Sequence, residues 1–222
     1  MAVDTGAAPA APGGVTERVS LREALGAMPL PRFELTLPEG WGRISADEEG
    51  QADLERRVRE RMMRTGRPDL MAGLRALLRE SMGSMREHGA VAVFLPLDPD
   101  GTGQTGAATS ITACLRTGTP DAPLDEYVQQ AIRRFDAKPL LDDLRTLRFE
   151  TESTRDLDGV SAVISTTHYI TPVPGTRRQR ALELLATYGR PESMARDDER
   201  IELLHTMFDL SASTLRWTRE EA

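Results

Sequence analysis

Residues 32–41 read "RFELTLPEGW". Phe33, Leu35 and Leu37 alternate with Arg32, Glu34 and Thr36, the two-residue period of a half-buried strand. Pro38 and Gly40 supply a turn, and "WGRIS" (41–45) is expected to return as a second short strand, forming an N-terminal hairpin. Trp41, one of two tryptophans in the chain, stands just past that turn. There its indole body can close a sheet edge by packing, while the ring N–H reaches a partner at the rim.

Two helical stretches follow between residues 50 and 88. In the first, Leu54, Val58 and Met62 recur every fourth residue; "TGRPDL" breaks it, and Pro68 suits a new first turn. In the second, Leu70, Leu74, Leu77, Leu78, Met82 and Met85 mark one apolar face, with Gly89 after His88 as the stop. "AVAVFLPLD" is a nearly continuous apolar run and reads as a central strand, "DPDGTGQTG" as a loop, and "AATSITACLRTG" as a further strand. "PLDEYVQQAIRRFDA" is an amphipathic helix through Leu124, Val128, Ile132 and Phe135. Three strands are then expected in "LRTLRFETES", "VSAVISTTHYITP" and "RQRALELLATYG", with turns at "TRDLDG" and "PVPGTRR". Asp197 or Asp198 opens a last helix carrying Ile201, Leu204, Phe208 and Ala212 on one stripe, with Leu203, Met207 and Leu210 beside it.

Strands joined by hairpin turns make a largely antiparallel sheet, and the helices must cover its faces, so the fold class is α+β. Residues 1–14 are Ala/Pro/Gly-rich and read as a disordered tail, since they offer little apolar surface against the entropy of ordering. Residues 15–31 read as an extension with a short helix, in which Ser20 and Glu23 have capping-box spacing and Pro29 ends the element. Residues 32–217 then form one domain with a helical insert at 50–88. No segment repeats with a period of 20–50 residues, which excludes solenoids and propellers.

Composition narrows the function. The chain has 222 residues, a net charge of −7 and 28% charged residues, a globular balance without the basic footprint that phosphate binding needs. Lys138 is the only lysine and asparagine is absent, which points to a high-GC bacterial genome rather than to selection for arginine chemistry. No apolar run approaches the roughly 18 residues of a membrane span. The N-terminus lacks the basic and apolar regions of a secretory signal, so a cytoplasmic protein is expected. Cys114 is alone, leaving no internal disulfide or thiolate cluster, and its place in "SITACLRTG" reads as a small buried hydrophobe.

Catalytic and cofactor signatures are missing. There is no G-x-S-x-G, Walker loop, G-x-G-x-x-G or H-E-x-x-H. "GTGQTG" precedes a strand and so lacks the helix dipole of a phosphate loop; "DPDG" lacks the later ligands of a calcium loop. Asp156 and Asp158 read as turn residues. His88 suits a helix C-terminus, where a cation favours the dipole. His168 neighbours Tyr169, so the two side chains point to opposite faces of their strand, and His205 lies beside the apolar stripe of the last helix. No cofactor and no metal site is expected.

A strand "F-x-L-x-L-P", a glycine turn and a tryptophan, answered much later by a helix ending "FDLSASTLRW", resembles the Mog1/PsbP-like fold family, especially its bacterial branch. The resemblance spans roughly residues 30–217. It implies an N-terminal strand pair set against a central antiparallel sheet with helices on both sides. It also implies a function of adaptor or chaperone type, since some relatives act on other proteins, secretion effectors among them.

Met62, Met63, Met71, Met82 and Met85 cluster in the helical insert, and methionine both fills irregular cores and lines adaptable grooves. With Trp217 near the C-terminus they form the expected contact set for a protein partner or a second copy of the chain. The leading expectation is therefore a non-catalytic, protein-binding protein. One alternative is a hydrolase-type enzyme with a site assembled around His168 or His205; another is a structural subunit of a larger assembly.

Overall fold

The chain runs through strand β1 (Arg32–Glu34), β2 (Trp41–Ser45), helix α1 (Glu48–Arg64), a single 3-10 turn (Pro68–Leu70), α2 (Met71–Glu87), β3 (Ala90–Pro96) and β4 (Thr109–Thr117). It continues through α3 (Leu124–Phe135), β5 (Lys138–Leu140), β6 (Asp143–Leu157), β7 (Val160–Pro172), β8 (Arg180–Pro191), α4 (Glu199–Ser213) and β9 (Arg216–Thr218). This computed structural model describes residues 30–64, 66, 68–97, 108–141, 143–157 and 160–218. The expected tail, the first helix and the "DPDGTGQTG" loop lie outside the described residues.

Seven strands form one antiparallel sheet in the order β2-β3-β4-β8-β7-β6-β5. The register sorts its two faces. Tyr169 and Leu184 are cross-strand partners, and the Tyr169 hydroxyl donates to Asp209 on α4 at 2.5 Å. One residue along, His168 and Leu185 pair on the opposite face, where the Phe149 ring stacks on His168 and Tyr127 of α3 reaches Glu183. Met85 of α2 and Leu185 pack on this second face against the cluster of Ala46, Ala90 and Cys114. Helices α2 and α3 therefore cover one face and α4 the other. The buried side chains between them include Tyr169, Tyr188, Leu182, Leu184, Ile201, Leu204 and Phe208.

Local sequence explains where the helices begin. Asp47 accepts the Gly50 N–H at 2.9 Å and the Ser45 hydroxyl at 2.6 Å, which caps α1. Any side chain at Gly50 would run into the Ser45 carbonyl, so glycine sets how closely α1 approaches β2. Asp198 caps α4 by accepting the Arg200 N–H, as expected from the sequence. His88 is the C-cap of α2, its Nδ1 2.7 Å from the Ser84 carbonyl oxygen, and Gly89 follows with φ 80°. Cys114 is buried, and burial pushes its thiol up.

Several expectations are corrected. The N-terminal strands do not form a hairpin: β1 pairs with β9 in a separate two-stranded ribbon, and β2 joins the edge of the large sheet beside β3. The physical reason is visible around Phe33. Its ring is buried between Phe94 and Trp217 and under the Arg43 guanidinium, contacts that a hairpin return could not supply together. Trp41 is half-buried at the sheet edge opposite Pro96. Strand β5, "KPL", was not anticipated, and Asp156 lies in β6 rather than in a turn. The expected apolar faces are incompletely covered: Ile132 and Phe135 on α3, and Leu70 and Leu77 in the insert, are exposed.

Candidate functional site

Three places combine chemistry or exposure. The first is the polar cluster beneath α3. Glu183 is fully buried in the middle of β8. Its Oε1 accepts from the Tyr127 hydroxyl at 2.7 Å and lies 2.9 Å from His168 Nδ1; its Oε2 accepts from Arg116 Nε at 2.5 Å. His168 Nε2 is 3.0 Å from the Thr151 hydroxyl, and the imidazole stacks on Phe149 with centroids 4.2 Å apart. Burial alone would push the Glu183 carboxyl up, but the His168 hydrogen bond and the Arg116 charge outweigh it and hold it below the usual carboxylate range. Burial, with the neighbouring Glu183 charge, pushes the Tyr127 hydroxyl well above its ordinary value. A cavity of about 260 Å³ is lined by Arg116 and Tyr127 together with Pro123 and Leu124. Every member of the cluster is engaged with another, which is how a structural ion network looks.

The second place lies across the sheet. Arg148 donates to Asp209 and Glu150, each at 2.7 Å, and Glu150 also accepts from Arg196 at 2.8 Å. His205 Nε2 is 3.0 Å from the Tyr188 hydroxyl, with Nδ1 3.5 Å from Glu150. Burial pushes the His205 imidazole below its ordinary value, against the pull of the Glu150 carboxylate. Glu152 accepts from Ser165 and Arg190. His168 and His205 therefore sit on opposite faces of the sheet, and neither touches a serine hydroxyl among the described residues. No group of three or more His, Cys, Asp or Glu is placed to hold a metal among the described residues.

The third place is the α1–α2 hairpin. Each helix has 17 residues, yet only Gly50 and Glu55 of α1 and Met82 of α2 are buried. Leu54, Val58, Met62, Met71, Leu74 and Leu78 are half-buried, and Met63 is 65% and Leu77 58% exposed. An ion cluster joins the two helices: Glu55 meets Arg75 at 3.0 Å and Arg79 at 3.3 Å, and Gln51 at 3.1 Å. No helix among the described residues is long and apolar enough to cross a membrane.

The residues expected to contact a partner thus divide. Met63 stands in solvent, Met62 and Met71 are half-buried, and Met85 packs into the core cluster around Cys114. Met82, expected on the contact surface, is buried at 2% exposure and belongs to the core, because it lies on the stripe of α2 that faces the sheet. Trp217 is half-buried against the edge of Phe33, 6.1 Å between centroids, far along the chain from the methionines. Glu183 and Arg116 escaped the sequence reading. The signal was present: a glutamate inside the apolar run "ALELLATYG" must find buried partners.

No protein-family profile and no curated protein matches the chain. Solved structures do resemble it. One is a crystal structure from Bacteroides thetaiotaomicron, with 12% identity over 85% of this chain and a TM-score of 0.39; the match spans 46% of that chain. Another is LpqN of Mycobacterium tuberculosis, described as involved in cell envelope biogenesis, with 9% identity, a TM-score of 0.42, and coverage of 85% of this chain and 84% of that one. A third is the cyanobacterial PsbP of Synechocystis, with 12% identity, a TM-score of 0.32, and coverage of 84% and 86%. At these identities and TM-scores, none of the likenesses assigns this chain a family or a role.

Proposed function

We propose that the chain is a non-catalytic, protein-binding protein whose contact surface is the α1–α2 hairpin. The observation that supports it is the burial of that hairpin. An amphipathic helix in a globular protein ordinarily hides its apolar stripe against a core. Here, two long helices hold one fully buried large apolar side chain, Met82 on the sheet-facing stripe of α2, while Met63, Leu70 and Leu77 are exposed. Methionine and leucine on an open two-helix layer suit a surface that adapts to a partner, because the thioether is unbranched and polarizable. The polar clusters around Glu183 and Glu150 are read as the framework that keeps the sheet and its covering helices in place.

A photo-crosslinking residue placed singly at 63, 70 or 77 tests this in the protein's native host. Crosslinks to a protein are expected at these sites and not at 203, on the outer side of α4. A second surface is tested by the same scan, because Ile132, Phe135, Leu141 and Leu144 are also exposed and lie close in sequence. Crosslinks at 132 and 144 with none at 63, 70 or 77 would move the contact surface there.

A further inference from the structure

The surface proposed above coincides with a reversal of charge. From Glu48 to Glu55, α1 carries four carboxylates and no cation; from Arg56 to Arg64 it carries five arginines and one glutamate, a net of +4. With the whole chain at −7, the remainder holds −11. The helix dipole favours cations in the last turn, which accounts for Arg61 and Arg64 being at this end. Arg56 and Arg57 bond back to Asp53. Neither helix chemistry nor pairing accounts for Arg59, which is exposed; like Arg64, it has no carboxylate partner among the described residues. Arg56, Arg59 and Met63 follow the three-, four-residue spacing that puts them on one helix face, all exposed, and Leu70 is exposed at the turn beyond.

Resting on the binding role just proposed, we infer that the basic end of the hairpin receives an acidic amphipathic segment of a partner protein. Its carboxylates would meet Arg59 and Arg64, and its apolar face would lie on Met63 and Leu70. An anionic membrane fits less well for two reasons. Residues 48–87 contain no aromatic side chain to anchor at an interface. The acidic first half of α1 would also be driven toward the headgroups if the helix lay flat on them.

The test uses the full chain and a designed fluorescent helical peptide with leucine on one face and glutamate elsewhere. A second peptide replaces each glutamate with lysine. Saturable anisotropy is expected with the glutamate peptide. It should weaken several-fold when salt rises from about 0.05 to about 0.5 M, and about tenfold in an Arg59→Glu/Arg64→Glu variant. The lysine peptide should bind that variant better than the unaltered protein. Both positions are exposed, and an unchanged melting curve verifies the fold. Equal binding of the two peptides, binding of neither, or preferential flotation with phosphatidylcholine–phosphatidylglycerol vesicles would overturn the inference. So would a sedimenting oligomer that the charge reversal disperses, since the occupant would then be a second copy. If crosslinks at 63 persist in the charge-reversed variant, the acidic partner is excluded while the binding role stands; if none of positions 63, 70 and 77 ever crosslinks, the binding role of the hairpin itself falls.

Discussion

The middle of the sheet and the α1–α2 hairpin are built on opposite plans. In β7 and β8, side chains on both faces are covered: Tyr169, Leu182, Leu184 and Tyr188 are buried under α4, and Ala181, Glu183 and Ile170 on the other face. Even the carboxylate there is satisfied, by Arg116, Tyr127 and His168. In the hairpin an ion cluster joins the helices, with Glu55 buried but its partners Arg75 and Arg79 largely in solvent, and the leucines and methionines beside it are at most half-covered apart from Met82. The sheet supplies the stability, and the hairpin leaves its apolar area available. The largest expected effect comes from the sheet. Glu183→Ala leaves the Arg116 guanidinium, the Tyr127 hydroxyl and the His168 ring without their shared acceptor, and should cost about 3–5 kcal/mol in urea melts. A loss below about 1 kcal/mol would mean that the cluster is not what ties α3 to the sheet.

Paired leucine truncations sharpen the contrast. Leu184→Ala removes a side chain with 1% exposure and should cost about 2–5 kcal/mol. Leu77→Ala, at 58% exposure, should cost less than about 0.5 kcal/mol. Equal losses would erase the distinction between the two regions. Amide hydrogen exchange offers the same comparison without mutation: hairpin amides should exchange through openings far below the global unfolding free energy, and those of β7 and β8 near it.

The smallest effect is the dependence on pH set by His205. Burial lowers its pKa in the fold, so the unfolded chain binds more protons below the ordinary value near 6.5. The stability contributed by neutral His205 is therefore present above about pH 6.5 and lost as pH falls below it. Stability should therefore decline between pH 7 and 5, and His205→Gln should remove that decline. A melting profile that is equally steep in the variant would assign the effect to other groups.

The sequence carried the sheet better than its connections. Alternation in "SITACLRTG" and "ISTTHYIT" was legible because each strand has one period and two distinct faces. The pairing of β1 with β9 was not, because nothing within "RFE" or "RWT" encodes a partner more than 180 residues away. A three-residue strand containing proline, β5, is too short to show a period. The hairpin was readable as helices but not as a surface. Leu77 and Leu78 are adjacent apolar residues, and only the packing shows that the first points to solvent and the second is half-covered. The same holds for Met63 and Met82, one exposed and the other in the core.

The most direct test of the hairpin as contact surface is a triple replacement, Met63→Ser, Leu70→Ser and Leu77→Ser, compared with His168→Ala and His205→Ala in affinity capture from the native host. The account predicts that the triple variant keeps its far-ultraviolet spectrum and loses the captured partner, while both histidine variants retain it. Capture that survives the triple replacement and fails with either histidine change would contradict it, and would place the function in the clusters that flank the sheet.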